Sequence, residues 1–167
     1  MMDLKGEGGI VFSSRTLRDV HLIKLAWMIP LFTIITAVLI HVLAGNVRDV
    51  PFFISEADHP GLERVIFTSG LFVSACFQCL LSIRLYFLFK KKARLRILLL
   101  ATTLGVLSSI HLAVLAFADM YDHISLHIYT SMVVFHGGFC WAFLTHFALP
   151  NPHPVSYTHL TLPTKVT

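Results

Sequence analysis

LAWMIPLFTIITAVLIHVLA, residues 25–44, is a run of twenty residues with no acidic or basic side chain apart from His41. At about 1.5 Å of rise per residue such a run makes a helix of about 30 Å, the thickness of a bilayer's hydrocarbon core. Pro30 lies one turn inside it, where a kink is tolerated if neighbouring helices satisfy the freed carbonyl. Working outward, three more apolar stretches follow at residues 65–89, 97–118 and 124–149, the last closed by Asn151-Pro152. The expected fold is all-α: a polytopic transmembrane helical bundle with four spans. Residues 1–24 form a polar lead with Gly6, Gly8 and Gly9, read as a loose start passing into a basic interfacial turn.

Composition agrees. Hydrophobic residues make up 56% of the 167-residue chain and charged residues 13%, with a mean hydropathy of +0.75. Soluble domains carry about 25% charge, so a soluble chain this apolar has too little polar surface to cover itself. The length suits one compact unit. The first residues mix charges with glycines and lack the apolar core of a cleavable signal peptide, so the first span is expected to act as the insertion signal.

The charges between the spans alternate in sign. The lead holds Lys5, Arg15, Arg18 and Lys24, and the second loop holds Lys90, Lys91, Lys92, Arg94 and Arg96. The first loop sets Arg48 and Arg64 against Asp49, Glu56, Asp58 and Glu63, and the third holds Asp119 and Asp122 with no Lys or Arg. The positive-inside bias then predicts a cytoplasmic N-terminus, with the first and third loops lumenal or extracellular. The basic cluster sets topology and meets anionic headgroups, each charge contributing about 1 kcal/mol near the surface. Arg84, near the end of the second span, is expected to snorkel its guanidinium to the headgroups. This membrane role accounts for the basic residues without nucleic acid.

Cys76, Cys79 and Cys140 all fall within spans, so no disulfide framework is expected, and Cys76-x-x-Cys79 reads as small residues in the membrane rather than a redox or zinc half-site. Ala101, Gly105 and Ser109 recur at four-residue intervals on the third span, and Gly70 and Ser74 on the second. Small residues at that spacing let helices approach closely, which predicts contact between the second and third spans along these stripes.

The residues with chemical potential gather at the acidic side. His41, His59, His111, His123 and His127 lie there with Asp119, Asp122, Glu56, Asp58 and Glu63. His123 and His127 share a helix face, and His111 and Asp119 follow a similar stripe. An ionisable residue in a membrane span is costly and so marks a functional hypothesis. In one reading, His111, Asp119, His123 and His127 hold a metal that activates water against a lipid ester or amide. In the other, the histidines are neutral and hydrogen-bond across helices or to headgroups; this reading is preferred, there being no HExxH, and no cofactor or metal is assigned. A protonation switch in an acidic compartment is a third option. His136 and His146 lie too deep or too near the other side to join such a site. A transporter is disfavoured because no pair of broken helices with matching repeats is present.

The first loop and the start of the second span read PFFISEADHPGLERVIF, residues 51–67. Pro51 fixes φ, Phe52, Phe53 and Ile54 are apolar enough to enter the interface, and Ser55 or Asp58 suits a turn or helix cap. The structural expectation is a loop packed as a plug over that end of the bundle. The segment resembles the corresponding loop of the Frag/DRAM/Sfk superfamily, which carries a Pro–aromatic–Ile-Ser–acid motif before its second span. Pro51, Phe53, Ile54, Ser55 and Glu56 match it, and Glu63 stands where the family has an acid. The strings Ile83-Arg84-Leu85-Tyr86 and Leu104-Gly105-Val106-Leu107-Ser108 are also similar, as is His127 near the start of the fourth span. The likeness covers residues 25–149.

Two departures stand out. The family commonly has a glycine after the Ile-Ser-acid run, near where this chain has Asp58, and relatives usually have six spans. The string VSYTHLTLPT, residues 155–164, resembles one reading frame of a transposase-based sequencing adapter. On that expectation residues 155–167 are foreign, residues 150–154 end the native sequence, the native net charge is +3 rather than +4, and two spans are missing. The resemblance implies a non-catalytic regulator or scaffold in autophagy, lysosomal function or membrane-lipid homeostasis, in an endomembrane (lysosome, endosome or Golgi) or the plasma membrane. Its expected partners are membrane lipids and other membrane proteins. The alternative it implies is a factor that remodels the lipid of GPI anchors.

Overall fold

The computed structural model describes residues 14–47 and 53–149, with side chains from residue 18 onward. Four helices follow one another: α1 (Ser14–Leu43), α2 (Leu62–Phe89), α3 (Leu95–Leu115) and α4 (Ile124–Ala148), with a 3₁₀ turn at Ile54–Ala57 between the first two. All four are long and apolar enough to cross a membrane. Their outer faces carry what a soluble protein would bury: Trp27, Phe135 and Phe139 are all more than 70% exposed. An apolar exterior of this extent is stable only in lipid.

The helices extend beyond the sequence-predicted spans in three places. The expected loose lead is helical from Ser14, α2 begins at Leu62 rather than residue 65, and α3 starts at Leu95 but closes at Leu115. The early start of α1 has a specific partner. Asp19 accepts hydrogen bonds from Arg84 Nε and Nη2 at 2.7 and 3.1 Å. Arg84 is thus paired with α1 in a bidentate fork. Pro30 is accommodated within a continuous α1.

The short α2–α3 and α3–α4 connections, residues 90–94 and 116–123, force antiparallel neighbours. α1 packs on α2, α2 on α3 and α3 on α4, and among the described residues no other pair of helices is in contact. The bundle is therefore an open row with α1 and α4 at its edges. A backbone bond from Arg94 N–H to the Ala148 carbonyl (2.9 Å) ties the α2–α3 turn to the end of α4.

The small residues allow this close packing, with Gly105 of the α3 stripe set against α2 as expected and Gly70 of the α2 stripe set against α1 instead. A Cβ at Gly70 would strike the side chain of Thr33, so Gly70 serves the α1–α2 contact rather than α2–α3. Gly105 is the pivot of α3: a Cβ there would meet Ser82 of α2 on one side and Trp141 of α4 on the other. Ala101 and Ser109 are buried beside it, and Ser74 is wholly buried on α2. The buried hydroxyls of Ser74, Ser82 and Ser109 each donate to a carbonyl one turn back, at 2.6 to 2.9 Å, so they enter the apolar interior without an unmet donor. Ser108 instead donates across to the Val134 carbonyl of α4 at 3.0 Å.

Candidate functional site

The two ends of the row differ in kind. At the acidic end the α1–α2 connection and the α3–α4 turn come together, and the described residues there include Glu56, Asp58, Glu63, Asp119 and Asp122 against one cation, Arg64. The first connection folds inward. Ala57 is fully buried in the main apolar cluster with Ala37, Phe67, Leu71 and Ala116. The 3₁₀ turn is fixed by Glu56, whose Oε1 accepts the Phe53 N–H at 2.8 Å. Glu56 thus does the capping that the sequence suggested for Ser55 or Asp58, while Phe53 and Ile54 point outward, 67% and 55% exposed. Pro51 lies outside the described residues. Gly61 then starts α2 at φ 151°, a conformation open to glycine, and a Cβ there would press on Glu63 Oε2.

Two webs of ionisable groups lie beneath this cap. In the first, Glu63 is buried and its Oε1 accepts from Asn46 Nδ2 at 2.9 Å. The same oxygen lies 3.7 Å from Nδ1 of both His41 and His59. His41 is buried on α1, and its ring centroid is 5.9 Å from that of His59, which in turn meets Tyr121 edge-on at 5.6 Å.

The second web surrounds Arg64. Its Nε donates to the Asp58 carbonyl at 3.2 Å, and the guanidinium lies 3.7 Å from Asp58 Oδ1, 3.6 Å from Asp119 Oδ1 and 4.0 Å from Asp122 Oδ2. Asp119 Oδ1 accepts the backbone N–H groups of Tyr121 and Asp122 at 2.9 and 2.7 Å, closing the α3–α4 turn. Tyr121 Oη donates to the Glu56 carbonyl at 3.0 Å, joining that turn to the first connection. Two buried atoms of this web form no hydrogen bond: Asp58 Oδ1 and Arg64 Nη2.

The two aspartates titrate in opposite directions. Burial pushes Asp58 up to about 6, and nearby Asp119 adds to this while Arg64 opposes it. Burial also acts to raise Asp119, but the N–H groups of Asp122 and Tyr121, with Arg64 and His123, outweigh it and hold that carboxyl below its ordinary value.

The four residues weighed for a metal are only partly brought together. His123 Nδ1 is 3.8 Å from Asp119 Oδ2. His127 is buried and its Nδ1 donates to the Ala118 carbonyl at 2.6 Å, so it staples α4 to the end of α3. His111 donates to Leu107 in its own helix and packs on Tyr129. Among the described residues no three His, Cys, Asp or Glu converge as metal ligands. Cys76, Cys79 and Cys140 are free thiols.

Sequence reasoning placed the acids and histidines at this end but treated Arg64 as a loop charge and passed over Asn46 and Tyr121. Asn46 and Tyr121 are joined to Glu63 and Glu56, 17 and 65 positions away, and Arg64 reaches across to Asp119 and Asp122 on another connection, and spacing along the chain carries no trace of that. The comparisons with known proteins add no relative: no family model, no curated protein and no solved structure matches the chain.

Proposed function

We propose that this chain is a multi-pass membrane protein of the Frag/DRAM/Sfk type, acting as a non-catalytic regulator or scaffold in autophagy or in lysosomal or membrane-lipid homeostasis. On this reading the N-terminus and the α2–α3 turn face the cytoplasm, and the acidic cap faces the lumen or the cell exterior. The supporting observation is that three of the cap's polar side chains are engaged in holding the fold together. Glu56 holds the 3₁₀ turn, His127 holds α3 to α4, and Tyr121 joins the two connections. A catalytic group must instead be free to meet a substrate.

Complementation tests this. Cells lacking the protein are restored with the wild type or with a His111→Ala/His123→Ala double variant, two positions whose loss leaves the Glu63 and His127 contacts in place. A regulator predicts equal recovery of autophagic flux and of membrane-lipid composition. Failure of the double variant at equal abundance and location would sink the regulator and favour a lipid-remodelling enzyme.

A further inference from the structure

Beside the Arg64 web, a groove of about 620 Å³ opens between α2 and the segment that follows α3, residues 116–119. Asp58 and Arg64 form its polar end together with Asp119, and Val65, Ser69, Phe72 and Phe117 form its apolar length. It faces outward from the bundle, since Val65 and Phe117 are 63% and 64% exposed. From Arg64 to Phe72 is two helical turns, about 12 Å. Phe72 and Phe117 meet edge-on at 5.7 Å at its lower end.

We infer that this groove binds a single-chain neutral lipid with a vicinal-diol head, of the monoacylglycerol class, through Asp58 and Arg64. The inference deepens the lipid-handling reading above and rests on it. Three observations lead to it. First, the two buried atoms without hydrogen bonds are a carboxylate acceptor and a guanidinium donor, on residues that both line the polar end. Unmet buried polar atoms of this kind are costly, and a diol supplies what each lacks. One hydroxyl donates to Asp58 Oδ1, and the other accepts from Arg64 Nη2.

Second, charge narrows the head. An anionic head would meet Asp58, Asp119 and Asp122 around a single arginine, and a cationic head would lie against Arg64 and leave Nη2 without an acceptor. A neutral head incurs neither cost.

Third, size narrows the tail. At about 30 Å³ per heavy atom, the share a water molecule takes in liquid, the groove holds roughly twenty heavy atoms. That seats a small head and one chain within the groove.

The test uses the full chain in phosphatidylcholine nanodiscs and three photo-crosslinking probes with the same diazirine-bearing chain: a monoacylglycerol, a lysophosphatidic acid and an alkylamine. The monoacylglycerol probe is expected to label the α2 segment 65–72 and residues 116–117 at least fivefold over the other two. Ser69→Trp, at an exposed groove position, is expected to abolish that preference without lowering the unfolding temperature. Equal labelling by all three probes, or labelling unchanged by Ser69→Trp, would overturn the inference and leave a water between Asp58 and Arg64. Such a result bears on the groove alone, because the regulator reading stands or falls on complementation.

Discussion

The acidic and basic ends of this row of helices are built from the same four spans, yet they use charge in opposite ways. At the basic end, Lys90, Lys91 and Lys92 are scarcely buried, and Lys90 rests over the Phe87 ring at 4.9 Å. There, among the described residues, the fold uses the Asp19–Arg84 ion pair. At the acidic end, Asp58, Glu56, Glu63 and Asp119 are buried and each is held by named donors or cations. The lysines of the basic turn are therefore left open to their surroundings, while the acidic groups act on the protein itself. Each substitution below tests that division, beginning where the effect is largest.

Glu63→Ala removes the acceptor of Asn46 and the carboxylate between His41 and His59 in a closed space. Leaving such partners unmet costs about 2–4 kcal/mol. Thermal unfolding in detergent or nanodiscs is expected to show the greatest loss of any single change here. Glu63→Gln keeps the Asn46 hydrogen bond and is expected to recover part of it. An unaffected Glu63→Ala protein would mean that the acidic cap is as loosely tied as the lysines.

Asp58 makes the acidic end pH-sensitive, and the sign follows from its pKa. The folded value of about 6 lies above the ordinary 3.8, so the folded state holds this proton more tightly. Its stabilising contribution is complete below about 3.8 and is lost as pH rises through about 6. The full shift sets a ceiling of about 3 kcal/mol, and screening through the partly exposed Arg64 reduces this to about 1–2 kcal/mol. Unfolding temperature measured between pH 4 and pH 7 is expected to fall by this contribution in the wild type and to flatten in Asp58→Asn. Asp119, held below its ordinary value, works the other way: its contribution is present above about 3.8 and lost as pH falls through its lower folded value. The two windows are therefore separable. An unchanged slope in Asp58→Asn would place the sensitivity elsewhere.

These contrasts explain what the sequence could and could not disclose. Span count and the acidic–basic alternation were legible because they depend on runs of residues, and lipid imposes its length on such runs. In the first connection, Phe53 and Ile54 face outward, as apolar residues suited to an interface should, whereas the burial of Glu56, Ala57 and Asp58 could not be read from apolar content. Partner choice was not legible either. Gly70 meets Thr33 rather than α3, and Arg84 has Asp19 of α1 as a partner that spacing did not disclose, because helix order in an open row decides which faces meet. The candidate His111–Asp119–His123–His127 set shared a plausible helical spacing. The structure divides it among an intrahelical bond, an ion pair and a helix-to-helix staple, since each imidazole found a nearer carbonyl or carboxylate.

The Asp19–Arg84 fork joins the first half of α1 to the last turns of α2, and it carries the basic end's share of folding. Asp19→Ala or Arg84→Ala alone is expected to lower the unfolding temperature by less than Glu63→Ala does. The exchanged pair Asp19→Arg with Arg84→Asp is expected to restore most of the loss. Restoration identifies the pair as the source. A double variant no better than its parents would show that Arg84 acts through the bilayer after all, as snorkelling would have it.

The smallest effect on folding is expected where the charge is densest. Changing Lys90, Lys91 and Lys92 together to Gln removes three positive charges from an exposed turn whose backbone is already fixed by Lys90 N–H to Tyr86 O and Lys92 N–H to Phe89 O. Neither bond uses a lysine side chain, so the unfolding temperature should not change measurably. The same substitution weakens the positive-inside bias of the proposed orientation, leaving Arg94 and Arg96 to hold that turn in the cytoplasm. Accessibility of cysteines introduced at residue 91 and residue 60, both exposed, to a membrane-impermeant maleimide, in the variant and in its parent, reads orientation independently of stability. Mixed orientation with an unchanged unfolding temperature is the outcome that separates the two ends, since charge at one then directs insertion while charge at the other holds the folded cap. A loss of stability matching that of Glu63→Ala would erase the distinction, because the exposed lysines would then be part of the fold.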